Sequence, residues 1–443
     1  MTLSAIKERF FSENALVKNS AILFAGTMFA NVLNYVFHLV VGRIVSVEIY
    51  GEAESLISLM NIIAVPAATI AMVAAKYAAN CKAESDKLGS RAIWKYLNQK
   101  IVKYGLPLFI ITALITPYVG KFLNIQNNFT LIIIWLSMLL SFFHAVNSGM
   151  LQGWQRFKQI SLMGIWGVVV KLIFGIVLVK IGFGLNGIIG SFTLGALASY
   201  LASTLALKFI LLKKEDNAQS QCETTIDFQS LRHYILPVFI GSLAITILGN
   251  ADMVLAKHIL SPLDAGQYGA LTIVSKIIFF GTGVIASVLF SLSAENHHKN
   301  IDTFAIFRKA SLFMLIVSAL GVIFYFLFPG FILGLLFGSK YASAASYLGW
   351  FAVMVSLFSF LNLIFQYLLS IKKTKIAYGL LLVALVSVFS VLFIAKDIYD
   401  ILVIMILSQI IGVAVGLFFL WTKDRKSSEN YFVDIYNLLR FNN

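Results

Sequence analysis

Six ionisable side chains sit inside long apolar runs of this sequence: His38, Glu54, His144, Lys171, Asp252 and Lys276. Arg43 and Lys257 close two of those runs. A charge at the centre of a bilayer costs about 2.5 to 3.5 kcal/mol on insertion scales, so each group must face protein or water rather than lipid. Such residues mark a path for a solute or an ion. Lys171 and Lys276 lie too deep in their runs for easy snorkelling and read as cavity-lining cations, whereas Arg43 and Lys257 are placed to reach the headgroups. Covalent chemistry has no comparable support. The sequence holds no G-x-x-x-x-G-K-[ST] loop, no H-E-x-x-H and no C-x-x-C, so nucleotide hydrolysis and zinc hydrolysis lack their motifs. No metal site and no cofactor are expected, and the reading is a transporter rather than an enzyme.

The elements that must position these groups are set by composition. Of 443 residues, 59% are hydrophobic and 12% charged, which excludes an ordinary soluble domain. A hydrocarbon core of about 30 Å needs roughly 20 apolar residues in a helix. Twelve such blocks occur, near 20–42, 52–74, 104–122, 129–151, 160–180, 187–209, 234–257, 269–292, 310–328, 347–369, 376–395 and 401–421. They do not alternate with the period of a β-barrel strand. The expected fold is therefore an all-α integral membrane protein with 12 transmembrane helices, and the first block is expected to remain as a span rather than act as a cleaved signal.

The formal net charge of +14 would suit nucleic acid were it not so unevenly placed. With the N-terminus in the cytoplasm, 26 of the 34 Lys and Arg fall in the tails and the alternate connections. That is the positive-inside pattern; it predicts both termini in the cytoplasm and contact with membrane lipids, not nucleic acid. Cys81 and Cys222 then both lie in cytoplasmic connections, where no disulfide is expected. Residues 76–103 read as a basic amphipathic surface helix with Ala92, Ile93, Leu97 and Ile101 on one side, and the segment from Glu429 to Asn443 as a possible interfacial helix or a frayed tail.

The halves of the chain repeat. Tyr50-Gly51 and Tyr268-Gly269 are 218 residues apart, and the same offset sets MLQ at 150–152 on LLS at 368–370. Ahead of the Tyr-Gly pairs an offset of 214 aligns Gly42-Arg43 with Ala256-Lys257 and His38 with Asp252. Six spans per half give both halves one orientation, a parallel repeat about the membrane normal. The expected organisation is a six-helix lobe at 1–212, a polar cytoplasmic linker at 213–233, a second six-helix lobe at 234–421 and a cytoplasmic tail at 422–443. If the first, second, seventh and eighth spans meet at the pseudo-twofold axis, His38, Glu54, Asp252 and Lys276 converge on one cavity. Pro66, Pro117 and Pro237 supply places for spans to bend.

At this point the residues resemble a family. Gly42, Arg43, Tyr50 and Gly51 match the G-R-x-L-G-P-x-x-Y-G turn of polysaccharide biosynthesis flippases, O-antigen-type members of the multidrug/oligosaccharidyl-lipid/polysaccharide exporter superfamily, with Ser46 and Val47 in place of the usual Gly-Pro. His258, Leu260, Ser261, Pro262, Ala265, Gly266 and Tyr268 are similar to the family's H-x-L-S-P-x-x-A-G-x-Y turn, and LLFGSKYASAASYL at 335–348 to its L-F-G-x-x-Y-x-x-A segment. The resemblance implies a MATE-like exporter fold, two pseudo-symmetric six-helix lobes around a central cavity. It further implies a flippase that carries undecaprenyl-pyrophosphate-linked oligosaccharide, a repeat unit of O-antigen, capsule or exopolysaccharide, to the outer leaflet of a bacterial plasma membrane by alternating access. On that reading Lys171, Lys276, Arg43 and Lys257 would hold the pyrophosphate. Asn31, Asn34, Asn61 and Gln366 would line the glycan path. Glu54, Asp252 and His38 would serve as gate pairs or as carriers of a coupling H⁺ or Na⁺. The chain is expected to be a monomer, working beside a glycan polymerase and glycosyltransferases. A cation-coupled multidrug exporter of the same fold is the alternative. A major-facilitator sugar symporter would need a G-x-x-x-D-R-x-G-R-R turn, absent from 75–103; a membrane glycan polymerase would need a large charged outer loop, whereas residues 329–346 carry only Lys340.

Overall fold

The computed structural model describes residues 3–212, 228–298 and 303–421, with side chains described from residue 22. The linker at 213–227 and the tail at 422–443, with the interfacial segment expected there, lie outside the described residues. Every long element is a helix: α1 Leu3–Ile44, α2 Val47–Ile63, α3 Val65–Ala83, α4 Lys87–Phe122, α5 Asn128–Gly153, α6 Phe157–Leu178, α7 Gly184–Ala206, the short α8 Lys208–Leu211, α9 Phe228–Ile259, α10 Pro262–His298, α11 Phe304–Leu327, α12 Pro329–Phe337, α13 Leu348–Ser370, α14 Ile376–Ile394 and α15 Ile398–Trp421. A 3₁₀ segment, Ser339–Tyr347, joins α12 to α13.

Among the described residues, eleven continuous stretches are long and apolar enough to span a membrane. One of them, Phe157–Ala206, has 50 residues, or roughly 75 Å of helix, more than twice a hydrocarbon core. It is two spans. A π turn at Val179–Phe183 breaks it, with Gly182 at φ 98° and Gly184 at φ 49°, and α6 folds back to pack along α7. Twelve spans result, as expected. In the other direction, the second span is one stretch but two helices: α2 stops at Ala64, and Pro66 starts α3 where its missing N–H costs nothing. Pro117 and Pro237 sit inside α4 and α9.

Two ends of the bundle can be told apart. The turns at 84–86, 154–156 and 371–375 lie at the basic end, and the turns at 45–46, 123–127 and 260–261 at the opposite end. Polar side chains fix where the helices start: Ser46 Oγ accepts from Ile49 N at 3.3 Å ahead of α2, Asp86 accepts from Gly89 N at 2.8 Å ahead of α4, and Ser261 accepts from Asp264 N at 3.1 Å ahead of α10. Ser46 and Ser261 cap equivalent helices of the repeat. Gln155 and Lys372, with φ 56° and 62°, turn equivalent hairpins at the basic end.

Two expectations are corrected. Residues 76–103 form no separate surface helix: α3 runs to Ala83, and α4 runs unbroken from Lys87 to Phe122. Ile93, Leu97 and Ile101 are buried against Tyr77, Cys81, Phe142 and Ile210, while Ala92 is exposed. An apolar stripe faces a protein neighbour as readily as a lipid surface, and the sequence pattern is the same for both. Cys81 is disulfide-bonded, against the inference from compartment; the chain's other cysteine, Cys222, lies outside the described residues.

Candidate functional site: a polar seam between the lobes

The helices of each half pack chiefly among themselves, and α2 is the main bridge, packing on α9 and α10. Small residues permit that contact. A Cβ on Gly51 would stand 2.5 Å from the backbone nitrogen of Gly266, and one on Gly266 would stand 2.0 Å from the carbonyl oxygen of Val47. The two turns that the repeat relates therefore meet each other, backbone to backbone. Glycine is required here for close approach.

Around that contact the end opposite the basic one is tied shut. Arg43 Nε donates to the Leu336 carbonyl at 3.0 Å, and its guanidinium also donates to Leu335. Lys340 donates to the carbonyls of Arg43 and Val45, and the Tyr341 hydroxyl donates to Gly42 at 3.2 Å. Lys257, 2% exposed, pairs with Glu52 at 3.3 Å. His258 stacks on Phe122 with ring centroids 4.1 Å apart. Arg43 and Lys257 thus join the lobes at this end.

Deeper in the bundle a polar seam crosses from one lobe to the other. On the first lobe, Lys171 of α6 is 6% exposed, donates to Asn34 Oδ1 of α1, and lies 4.4 Å from the ring centroid of Phe37 and 4.3 Å from that of Phe192. Two aromatic faces and one amide replace the water such a cation would hold in solution. Beside it His38 Nδ1 meets Glu54 Oε1 at 2.5 Å, and the Glu54 carboxylate acts on Lys171 electrostatically. At the crossing, Asn61 of α2 donates to Asn250 of α9 at 3.1 Å, and Lys276 of α10 donates to the same oxygen at 3.4 Å. Neither lysine has a carboxylate at ion-pair distance among the described residues.

On the second lobe Asp252, 2% exposed, accepts from the Tyr268 hydroxyl at 2.9 Å. Asp252, Lys276, Thr272 and Gln409 line one small cavity between α9, α10, α13 and α15. Asp252 Oδ1, Thr272 Oγ1 and Gln409 Oε1 are all buried without a protein partner among the described residues. Three orphan oxygens around one void are a demand for a proton, a water or a small cation, because buried polar atoms are otherwise satisfied.

The structure brings together His38 with Glu54, Lys171 with Asn34, Lys276 with Asn61 through Asn250, and Asp252 with Lys276 at the small cavity. Asn31 on α1 and Gln366 on α13 are half-buried and join none of these bonds. His144 is half-buried with Nδ1 unpartnered. Sequence reasoning missed Asn250, the aromatic pair Phe37 and Phe192, and Gln409. An asparagine two positions before a deep aspartate, N-A-D at 250–252, was a signal for the first; the aromatic pair carried none among 38 phenylalanines.

This fold, with its bridging second helix and a polar seam between two lobes, is that of the MATE-like exporters. An inward-facing multidrug resistance MATE family transporter of the MOP superfamily superposes with TM-score 0.71 at 15% identity, covering 89% of this chain and 93% of that one. The lipid II flippase MurJ in an inward closed conformation superposes with TM-score 0.66 at 15% identity, covering 96% and 93%. In sequence, residues 16–297 match the family described as polysaccharide biosynthesis protein, and the chain belongs to that family. An uncharacterized membrane protein of Methanocaldococcus jannaschii is 24% identical over 286 residues, 61% of this chain and 66% of that relative, just under two thirds of its length. Together these findings support a multi-pass membrane protein of the flippase and exporter class.

Proposed function

We propose that this protein flips undecaprenyl-pyrophosphate-linked oligosaccharide across a bacterial plasma membrane, from the inner to the outer leaflet, by alternating access with both termini in the cytoplasm. The observation that carries this reading is the pair of deep lysines, Lys171 and Lys276, one on each lobe and neither neutralised by a carboxylate at ion-pair distance among the described residues. A buried cation that no carboxylate meets at ion-pair distance among the described residues is poised for an anion, and a pyrophosphate offers one to each lobe. Membership of a polysaccharide biosynthesis family supports a glycan-bearing cargo. Asn34, Asn61 and Asn250 offer amide donors and acceptors to sugar hydroxyls. The small cavity at Asp252 is the proposed coupling site, where H⁺ or Na⁺ would take the place that Lys276 shares electrostatically with the carboxylate.

The test is flipping of a fluorescent undecaprenyl-pyrophosphate glycan in proteoliposomes, with Lys171→Ala and Lys276→Ala compared at matched reconstitution. Native flipping with a loss of about tenfold or more in each variant, ~1.4 kcal/mol or more of lost stabilisation, is expected. A native chain that moves no such lipid but extrudes a cationic dye under an ion gradient replaces this reading with the multidrug exporter.

A further inference from the structure

A crevice of about 790 Å³ lies between α3 and α4 of the first lobe and the start of α9 of the second, away from the polar seam. Its walls are apolar, with Ile70, Val73, Leu108, Phe142 and Phe239 among them. One charged group, Lys100, lines it, flanked by Tyr96 and Tyr104. The position of that lysine along α4 is telling. The apolar span of this helix runs from Tyr104 to Phe122, roughly 28 Å, close to the thickness of a hydrocarbon core. Lys100 therefore stands at the headgroup level of the leaflet at the basic end, and the crevice runs from there along α4 to Leu108, roughly 12 Å deeper.

The chemistry of this slot is that of a lipid with a negative head. Tyr104 is 60% exposed and Leu108 41% exposed on the outer surface of the bundle, so the mouth opens sideways toward acyl chains. Lys100 lies 5.2 Å from the Tyr96 ring centroid and 5.9 Å from that of Tyr104, and Lys103 lies 5.5 Å from Tyr104. Among the described residues Lys100 makes no ion pair. Between Lys87 and Lys103 the chain carries five basic residues and no acidic one, a field that attracts anionic headgroups. We propose that this crevice binds one anionic phospholipid, its phosphate on Lys100 between the two tyrosines and an acyl chain in the apolar slot. Because α9 supplies Ile235, Leu236 and Phe239 to the wall, the bound lipid touches both lobes and favours the arrangement in which the slot exists. The inference does not rest on what the protein transports.

Native mass spectrometry of the full chain, exchanged into detergent with equal phosphatidylglycerol and phosphatidylcholine, reads the occupant directly. The native chain is expected to retain phosphatidylglycerol about tenfold over phosphatidylcholine, a difference of ~1.4 kcal/mol. Lys100→Glu is expected to abolish the preference and Lys100→Arg to keep it, which separates loss of charge from loss of fold. Ile70→Trp, which fills the slot with the lysine intact, is expected to lower retention of phosphatidylglycerol. Equal retention of both lipids by the native chain overturns the proposal, as does unchanged retention in Lys100→Glu and Ile70→Trp. Displacement of phosphatidylglycerol by stoichiometric undecaprenyl phosphate also overturns it, assigning the slot to the carrier instead.

Discussion

His38 Nδ1 stands 2.5 Å from Glu54 Oε1, joining α1 to α2 across 16 residues of sequence. The second half has the same device at the same spacing: Asp252 on α9 and Tyr268 on α10, also 16 residues apart, joined at 2.9 Å. The repeat sets Asp252 on His38 but Tyr268 on Tyr50 rather than on Glu54, so the two pairs share a spacing without sharing both positions. In the first pair an imidazole meets a carboxylate, and in the second a phenol hydroxyl donates to one. With the coupling site at the Asp252 cavity, Asp252→Asn is expected to remove the effect of an imposed H⁺ or Na⁺ gradient on flipping, while Glu54→Gln leaves that effect in place. Flipping measured in proteoliposomes with and without the gradient checks this, and an unaltered gradient response in Asp252→Asn would sink it.

Lys171 is expected to lower stability while serving function. Its ammonium is buried against Phe37, Phe192 and Asn34 with no carboxylate at ion-pair distance among the described residues, and a charge in such a place carries a desolvation cost that an apolar side chain avoids. Lys171→Met should raise the thermal midpoint of the purified protein by several degrees, on the order of 1–2 kcal/mol, and reduce flipping. A fall in both would return the lysine to a structural role.

The twelve spans, the repeat and the deep charges were legible in the sequence because bilayer thickness and the cost of buried charge act on local composition. The relation between His38 and Asp252 followed from alignment of the halves. What joins the lobes was not legible. Arg43 meets Leu335 and Leu336 across more than 290 residues, through backbone carbonyls that carry no sequence identity, so nothing in either segment announces the other. Asn250 joins Asn61 to Lys276 by geometry alone. The stripe Ile93, Leu97, Ile101 was legible as amphipathic but not as facing protein, since Tyr77, Phe142 and Ile210 come from three other helices.

Closure of the lobes depends on the bare backbone at Gly266. A methyl there would fall 2.0 Å from the Val47 carbonyl oxygen, and overpacking of this kind costs about 1–3 kcal/mol. Gly266→Ala is expected to part the two turns. Spin labels at Ser46 and Ser261, both exposed, should report a shift to longer distances, measured by pulsed electron resonance in the otherwise native chain. An unchanged distance distribution would show that the helices absorb the methyl without opening.

The hairpin of α6 and α7 makes a separate prediction about folding. Gly182 has φ 98°, a region that a side chain enters at a cost of about 1–2 kcal/mol, whereas Gly164 in α6 has open space around its Cα and a helical φ. Gly182→Ala should lower stability by that amount and Gly164→Ala should raise it by up to about 1 kcal/mol, the difference in helix propensity. Thermal unfolding of the two variants under one detergent condition compares them, and equal shifts would refute the strain argument.

The pair Lys257 and Glu52 should respond asymmetrically to mutation. Lys257 is 2% exposed at its side chain and Glu52 26% exposed. Removing the lysine leaves a carboxylate that water can reach; removing the carboxylate leaves an ammonium that water cannot. Glu52→Gln is therefore expected to cost about 3 kcal/mol, and Lys257→Met under about 1 kcal/mol because its methylene stem is replaced by apolar bulk in the same place. The double variant should resemble Lys257→Met rather than the sum of the two. A cycle measured by unfolding in mild detergent decides it: equal losses in the two single variants would mean that Lys257 finds solvent or another partner once Glu52 is gone, and that the closed end is looser than its contacts imply.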